Sequence, residues 1–181
     1  KDVPNSQNIE IENEILKKSE DVKIFGIYDP ADNNFDLNMW STSDADNVRS
    51  IIKRINKINL SNTSKNIFEK TLFSFAYPPR GMDEKEFINY KIDWMIDKKR
   101  TKLIEKFLEQ NNEFHNKKKI IQYLVDENIA KANIKEGCKK IGFIDKNIKD
   151  SYLEKFKIYC LIFKDKKLEA QLLLDLLREQ K

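Results

Sequence analysis

Histidine and cysteine are side chains that often do chemistry, and this sequence of 181 residues contains one histidine and two cysteines. His115 stands in a polar stretch with no cysteine near it in the chain, so it lacks the companions of a zinc site. A Ser-His-Asp triad would have to use the same histidine, and the sequence has no Gly-x-Ser-x-Gly motif. It also has no glycine-rich phosphate loop. We therefore expect His115 to be an exposed turn residue, and we expect no cofactor.

Paired carboxylates are the other candidates for catalysis. Asp93 with Asp97 and Glu105 with Glu109 would each lie on one face of a helix. Acid–base catalysis would need a pocket that shifts their pKa values. In a chain of which 35 % is charged, such pairs are typical of solvated helix surfaces. We therefore expect no enzyme.

Acidic and amide side chains cluster between residues 29 and 36, which raises the question of calcium. An EF-hand loop needs a central glycine and a closing glutamate, and this stretch has neither. We interpret it as a turn-rich loop and predict no metal site. The cluster consists of Asp29, Asp32, Asn33, Asn34 and Asp36.

The two cysteines lie at equal distances on either side of Lys149. If the chain reverses near that residue, Cys138 and Cys160 face each other on antiparallel neighbours and can form a disulfide. The alternative is that both are small buried core residues. A disulfide would favour an oxidising compartment such as a periplasm, whereas free thiols would favour the cytoplasm.

Composition limits the classes of partner. The net charge is +4 because 34 basic residues are interspersed with 30 acidic ones, which disfavours nucleic-acid binding. No apolar run approaches the ~20 residues of a membrane span. Glycine and proline number only four each, which favours helices.

Apolar periodicity predicts most of the helices. The spacing indicates a short helix over residues 9–18, an extended segment over 22–28, and then helices with 3.6-residue periodicity. Ser43 with Asp46, and Asp83 with Glu86, have the spacing of capping boxes at helix starts.

The clearest hairpin is predicted at the C-terminal end of the chain. Its first helix should bury one aromatic stripe, and its second should fold back on the first through leucines. The aromatic stripe and the leucines comprise Tyr152, Phe156, Tyr159, Cys160, Phe163, Leu168, Leu172, Leu173, Leu176 and Leu177.

The first helices of successive pairs are predicted to start near Asp83, Asn116 and Asp150, at intervals of about 33 to 34 residues, which is the period of helix-turn-helix repeats. In this respect the chain resembles the tetratricopeptide-like α-solenoids. The resemblance implies an all-α fold of antiparallel helix-hairpin repeats (a TPR-like α-solenoid) over residues 43–181. The residues before it, 1–42, are predicted to form an extended N-terminal segment made of a tail, the short helix, the extended stretch and a loop. The stretch from residue 150 also looks like uncharacterised envelope helical-repeat proteins of alphaproteobacteria, which implies an exported scaffold.

These features predict a non-enzymatic scaffold that binds protein or peptide partners. Aromatic residues that recur on the helices, Tyr90, Trp94, Tyr123 and Tyr159, are the candidate binding residues; the alternative is that they pack between helices. A second hypothesis is an accessory or regulatory domain of a larger enzyme or envelope complex. The sequence leaves the oligomeric state open.

Overall fold

The computed structural model describes residues 22–145 and 147–179. The helix expected over residues 9–18 lies outside this range. Within it the protein is all-α, as predicted, with two short 3-10 helices (Ala31–Asn33 and Ile141–Phe143) and no strand. The eight α-helices of the described residues are α1 (Ala45–Lys57), α2 (Asn62–Phe73), α3 (Glu84–Asp97), α4 (Thr101–Gln110), α5 (Lys117–Ala130), α6 (Ile134–Lys140), α7 (Ser151–Phe163) and α8 (Lys167–Glu179).

The chain forms two compact units, one ending at Phe87 and the other beginning at Ile88. In the first unit, residues 22–26 belong to no helix or strand, and Tyr28 forms an isolated parallel bridge with Ser74. The N–H groups of Ile27 and Tyr28 donate to the carbonyl oxygen of Phe73, at 2.7 and 3.2 Å. The carbonyl oxygen of Tyr28 accepts from Phe75 N–H at 3.1 Å. This part of the chain is thus attached to the end of α2 and to the residues just after it.

An arginine clamp joins α1 to the start of α3. Arg49 makes a bidentate ion pair with Glu86, at 2.6 and 2.7 Å, and a second pair with Asp46 at 2.7 Å. The hydrogen bond from Arg49 lowers the pKa of Glu86. Asp83 accepts the Glu86 N–H at 2.7 Å, so this half of the predicted capping box is present.

The capping box predicted at Ser43 is wrong. The N-cap of α1 is Asp44, and its side chain does not cap the helix. Its carboxylate instead pairs with Arg80 at 2.8 Å. The Asp44 carboxylate is thus bound by Arg80 and not by the N–H groups of the helix start.

The starts of three helices match the predicted spacing. Helices α3, α5 and α7 begin at Glu84, Lys117 and Ser151, each one residue after a predicted start. Asp150 caps α7 by accepting the Leu153 N–H at 3.1 Å. Each helix from α4 to α7 contacts the next one along the chain.

Three turns of this unit share one backbone geometry. Each joins two helices through three residues, and the central residue has a positive φ of 52°, 55° or 59°. In each turn the central N–H bonds a carbonyl three residues back at 2.9 Å, and the next N–H bonds one five residues back at 2.8 Å. This is the Schellman pattern of helix termination. The central residues are Lys99, Ala132 and Asp165.

A disulfide joins α6 to α7. The sulfurs of Cys138 and Cys160 lie 2.05 Å apart and the Cα atoms 5.4 Å apart, and both residues are buried. The sequence left open whether the two cysteines are bonded or are separate buried core residues, and in the structure they form a disulfide.

The predicted burial of α7 and α8 is largely wrong. Helix α7 buries Leu153, Phe156 and Cys160, whereas Tyr152, Tyr159 and Phe163 are exposed. On α8 only Ala170 is fully buried, and Leu168, Leu172 and Leu176 are exposed. Both helices carry apolar residues on more than one side, so periodicity alone could not identify the packed side.

We expect reduction of the disulfide to lower the melting temperature. The bridge closes a loop with a sequence separation of 22, and the chain-entropy model assigns such a loop about 3 kcal/mol. For a unit of this size that corresponds to a shift of roughly 12 °C or more. Calorimetry of the oxidised protein and of the Cys138→Ser/Cys160→Ser variant measures the shift. Equal melting temperatures would contradict it.

We also expect Gly26→Ala to destabilise the first unit. A Cβ at Gly26 would lie 2.6 Å from the Phe75 nitrogen and 2.8 Å from its Cα, both backbone atoms. Overpacking of this kind costs about 1 to 3 kcal/mol. Gly142→Ala is the matched control, because its Cβ would meet nothing within 4 Å. Urea unfolding should show a loss for Gly26→Ala and a change within about 0.5 kcal/mol for the control.

Candidate functional site

The described part of the chain contains no group of three or more His, Cys, Asp or Glu residues that could hold a metal ion. His115 is an exposed turn residue, as predicted. No helix among the described residues is long and apolar enough to cross a membrane. Lys91 is buried in the second unit, and its burial lowers the pKa of its amine to about 7. Sequence reasoning did not identify it, and its amine does not reach solvent.

The four aromatic residues proposed from the sequence lie in different environments. Trp94 is buried, whereas Tyr90 and Tyr123 are half-buried. The hydroxyl of Tyr123 is buried and has no hydrogen-bond partner among the described residues, and burial raises its pKa. Tyr159 is 49 % exposed. Of the four, it is the one that a partner can reach directly.

Side-chain contacts link α3, α5 and α7, the helices that the sequence predicts to be the first of each pair. Lys119 of α5 pairs with Asp93 of α3 at 2.7 Å. Tyr152 of α7 donates a short hydrogen bond to Asp126 of α5. Lys119 and Asp126 are seven residues apart, and so are Tyr152 and Tyr159, so each pair lies on one side of its helix. We refer to the surface carrying Asp93, Lys119, Asp126, Tyr152 and Tyr159 as the first-helix face.

Equivalent positions on this face carry different groups. Asp126 lies 33 residues after Asp93, and Tyr159 lies 33 residues after Asp126. Asp93 and Asp126 each accept a hydrogen bond from the next first helix. Tyr159 has the corresponding position on α7, which is the last of these three helices in the described part of the chain. An exposed aromatic side chain thus replaces a carboxylate at this end of the face.

Tyr159 belongs to a stack of three rings along α7. Its ring lies 6.1 Å from that of Phe156 with an interplanar angle of 14°, and 6.5 Å from that of Phe163 with an angle of 16°. Phe156 is buried and Phe163 is 55 % exposed. The buried ring holds one end of the stack in place, while the other two rings face solvent. Sequence reasoning missed Phe163 as a surface residue because it shares the helical spacing of buried Phe156.

The hydrogen bond at Tyr152 has a clear electrostatic effect. Burial, together with the carboxylate of Asp126 that accepts its proton, raises the pKa of Tyr152 to about 12. The neutral phenol is therefore the form present throughout the physiological range. It links α5 to α7 as a donor.

The first unit has a groove of its own. It has a volume of about 790 Å³ and is lined by both apolar and charged side chains. Lys23 N–H donates to Glu84 at 2.9 Å in its wall. The lining residues are Val22, Lys23, Tyr77, Pro78, Met82, Asp83, Glu84 and Lys85.

No known protein family, curated protein or solved structure matches this chain. Its function therefore has to be inferred from its own residues.

We expect Asp126→Asn to lower the pKa of Tyr152 from about 12 towards its usual value near 10. The amide carries no charge that would oppose formation of the phenolate. Because the folded-state pKa is raised, the stabilisation is fully present below about pH 10 and is lost as the pH rises towards 12. Tyrosinate absorbance during alkaline titration measures the midpoint, and Tyr152→Phe identifies the signal. An unchanged midpoint in Asp126→Asn would show that the hydrogen bond is absent.

Proposed function

We propose that this protein is a non-enzymatic helical-repeat scaffold, of the tetratricopeptide-like α-solenoid type, that binds a protein or peptide partner. The repeat arrangement is supported by helix starts at Glu84, Lys117 and Ser151 and by the three Schellman turns at constant spacing. Repeat proteins of this kind place binding surfaces on one set of helices. In this chain the first helices are α3, α5 and α7.

The observation that carries the binding proposal is the exposed pair of stacked rings on α7. Tyr159 and Phe163 are both about half exposed, and they stack beside Phe156, which is buried on the packed side of the helix. Aromatic rings bury a large apolar area at low cost in conformational entropy, and they dominate many protein interfaces. A partner that covers both rings would thus gain most of its binding energy here.

Polar groups beside the rings supply orientation. Lys119 and Asp126 lie on the neighbouring helix α5, and both are exposed. Lys119 already pairs with Asp93, and Asp126 already accepts a hydrogen bond from Tyr152. Both side chains can form further hydrogen bonds. A peptide that crosses from α7 to α5 would meet aromatic rings first and then one cation and one carboxylate. This pattern fits an extended peptide with an apolar anchor followed by polar residues.

The proposed compartment is the bacterial envelope. The disulfide between Cys138 and Cys160 is the supporting observation, because such bonds persist in oxidising compartments and are rare in reducing ones.

We expect removal of the two exposed rings to abolish peptide binding. Dodecapeptides would be selected from a random displayed library on the wild-type protein, and their affinities measured by fluorescence anisotropy. Tyr159→Ala and Phe163→Ala should each weaken binding about 10-fold or more, the usual effect at an aromatic interface anchor. Tyr77→Ala is the matched control, since Tyr77 is an exposed tyrosine of the first unit.

Two results would contradict this proposal. One is a library that yields no peptide above background. The other is a set of peptides whose affinity falls in Tyr77→Ala and not in the α7 variants, which would place binding at the groove of the first unit.

A further inference from the structure

The positive charge of the chain is concentrated in α1, α2 and the residues that join them. No acidic residue occurs between Asp46 and Glu69, whereas this stretch contains five basic residues. Of the 34 basic residues in the chain, the other 29 are nearly balanced by the 30 acidic ones. The net charge of +4 thus arises in one short part of the first unit. We refer to residues 47–70 as the basic segment.

Most cations of the basic segment are not neutralised by ion pairs. Arg49 is the exception, because Asp46 and Glu86 both bind it. In the second unit the exposed lysines Lys119 and Lys131 each pair with a carboxylate, at 2.7 and 2.8 Å. Five exposed cations of the basic segment form no ion pair with any residue in the ranges 22–145 and 147–179, namely Lys53, Arg54, Lys57, Lys65 and Lys70.

The helices themselves do not account for all of these charges. Arg54 and Lys57 lie in the last turn of α1, and Lys70 in the last turn of α2, where a cation stabilises the helix dipole. Lys65 lies near the start of α2, whose first turn has no acidic residue. The dipole is positive at that end, so a cation there is unfavourable for the helix. The basic segment therefore has a positive potential that an anionic surface would neutralise.

Isoleucines are exposed among these cations. Ile51 is 53 % exposed, Ile58 56 % and Ile67 59 %. Ile58 follows Ile51 by seven residues, about two turns, and Arg54 lies between them at helical spacing, so the three side chains form one row. On α2 Lys70 follows Ile67 by three residues and lies on the same side of the helix. Each helix thus presents an exposed isoleucine beside a cation.

The composition of the basic segment favours a lipid surface over other anionic partners. Single-stranded nucleic acids stack their bases on aromatic rings, and protein interfaces are enriched in aromatic residues and arginine and depleted in lysine. Here four of the five exposed cations are lysines, and the one aromatic residue, Phe68, is half-buried. Aliphatic side chains beside lysines are typical of helices that lie on anionic lipids. The aliphatic groups enter the headgroup boundary, while the long cationic side chains reach the phosphates.

We propose that the basic segment docks the first unit onto an anionic lipid surface. Ile51, Ile58 and Ile67 enter the headgroup region, and the five exposed cations bind lipid phosphates. Clusters of about four to eight lysines and arginines on a helix bind anionic lipids, and each cation near the surface strengthens binding roughly 5-fold. The proposal goes beyond partner binding at α7 and does not depend on it.

Co-sedimentation of the full chain with lipid vesicles tests this proposal. We expect binding to vesicles of phosphatidylglycerol and phosphatidylcholine in equal parts at low ionic strength. Binding to phosphatidylcholine alone should be at least about 10-fold weaker. Added salt should release the protein, because salt screens the attraction between exposed charges. Failure to bind the phosphatidylglycerol vesicles at low ionic strength would overturn the proposal.

Two double variants separate the position of the charges from the net charge. Arg54→Gln/Lys57→Gln removes two cations of the basic segment and should weaken vesicle binding about 10-fold or more. Lys102→Gln/Lys106→Gln is the matched control, because it removes the same charge from two exposed lysines of α4. Circular dichroism checks that both variants keep their helices. Equal losses in the two variants would show that net charge alone attracts the protein, and the basic segment would then not be the docking site.

The isoleucines distinguish a lipid surface from a purely ionic partner. Ile51→Ser and Ile67→Ser should each weaken vesicle binding about 5-fold, because less apolar surface leaves water. Ile162→Ser is the control, since Ile162 of α7 has the same exposed fraction as Ile51, 53 %. Polyuridylate is the competing ligand. If the protein binds this RNA equally well in the isoleucine variants and does not bind vesicles, the basic segment is a nucleic-acid site and the proposal is wrong.

Discussion

The second unit depends on the burial of α5. Ile120, Ile121, Leu124 and Val125 have no exposed surface, and this side of the helix contacts α4 and α6. The opposite side makes the polar contacts to α3 and α7. Because α5 makes contacts on both sides, its position fixes the positions of the helices around it. The arrangement of the first-helix face therefore depends on how α5 is packed.

One buried charge adds specificity at the start of α5. The ammonium group of Lys117 donates to the carbonyl oxygen of Asn112 at 2.5 Å and to Asp145 at 3.0 Å. Lys117 also lowers the pKa of Asp145 through their hydrogen bond. A buried charge without such partners would cost several kcal/mol, roughly 3 to 5. The chain after α6 is thereby held against the beginning of α5.

The sequence was sufficient to predict where the helices lie, but it was not sufficient to predict which side of each helix is packed. Helix α4 was predictable because Leu103, Ile104, Phe107 and Leu108 form a single stripe, and all four are buried. Helix α7 was not, because Tyr159 and Phe163 have the same helical spacing as Phe156 and Cys160. Which side is packed depends on contacts with other helices, and the periodicity of one helix carries no information about them. The same limitation affected the candidate site, where Trp94 proved to be core and Phe163 surface.

The three Schellman turns share a backbone conformation but no residue type. Their central positions hold Lys99, Ala132 and Asp165, which share no side-chain chemistry, although glycine is the usual residue for positive φ. The repeated property is thus a backbone conformation rather than a residue type.

The disulfide has a consequence for cooperativity. Helices that contact few neighbours can open locally without unfolding the rest of a protein. The bond between Cys138 and Cys160 joins α7 covalently to α6. When α7 and α8 open locally, they remain tethered and close again onto the same neighbour. Among the described residues, the helices with the largest share of exposed apolar side chains are therefore also covalently tied to a neighbouring helix.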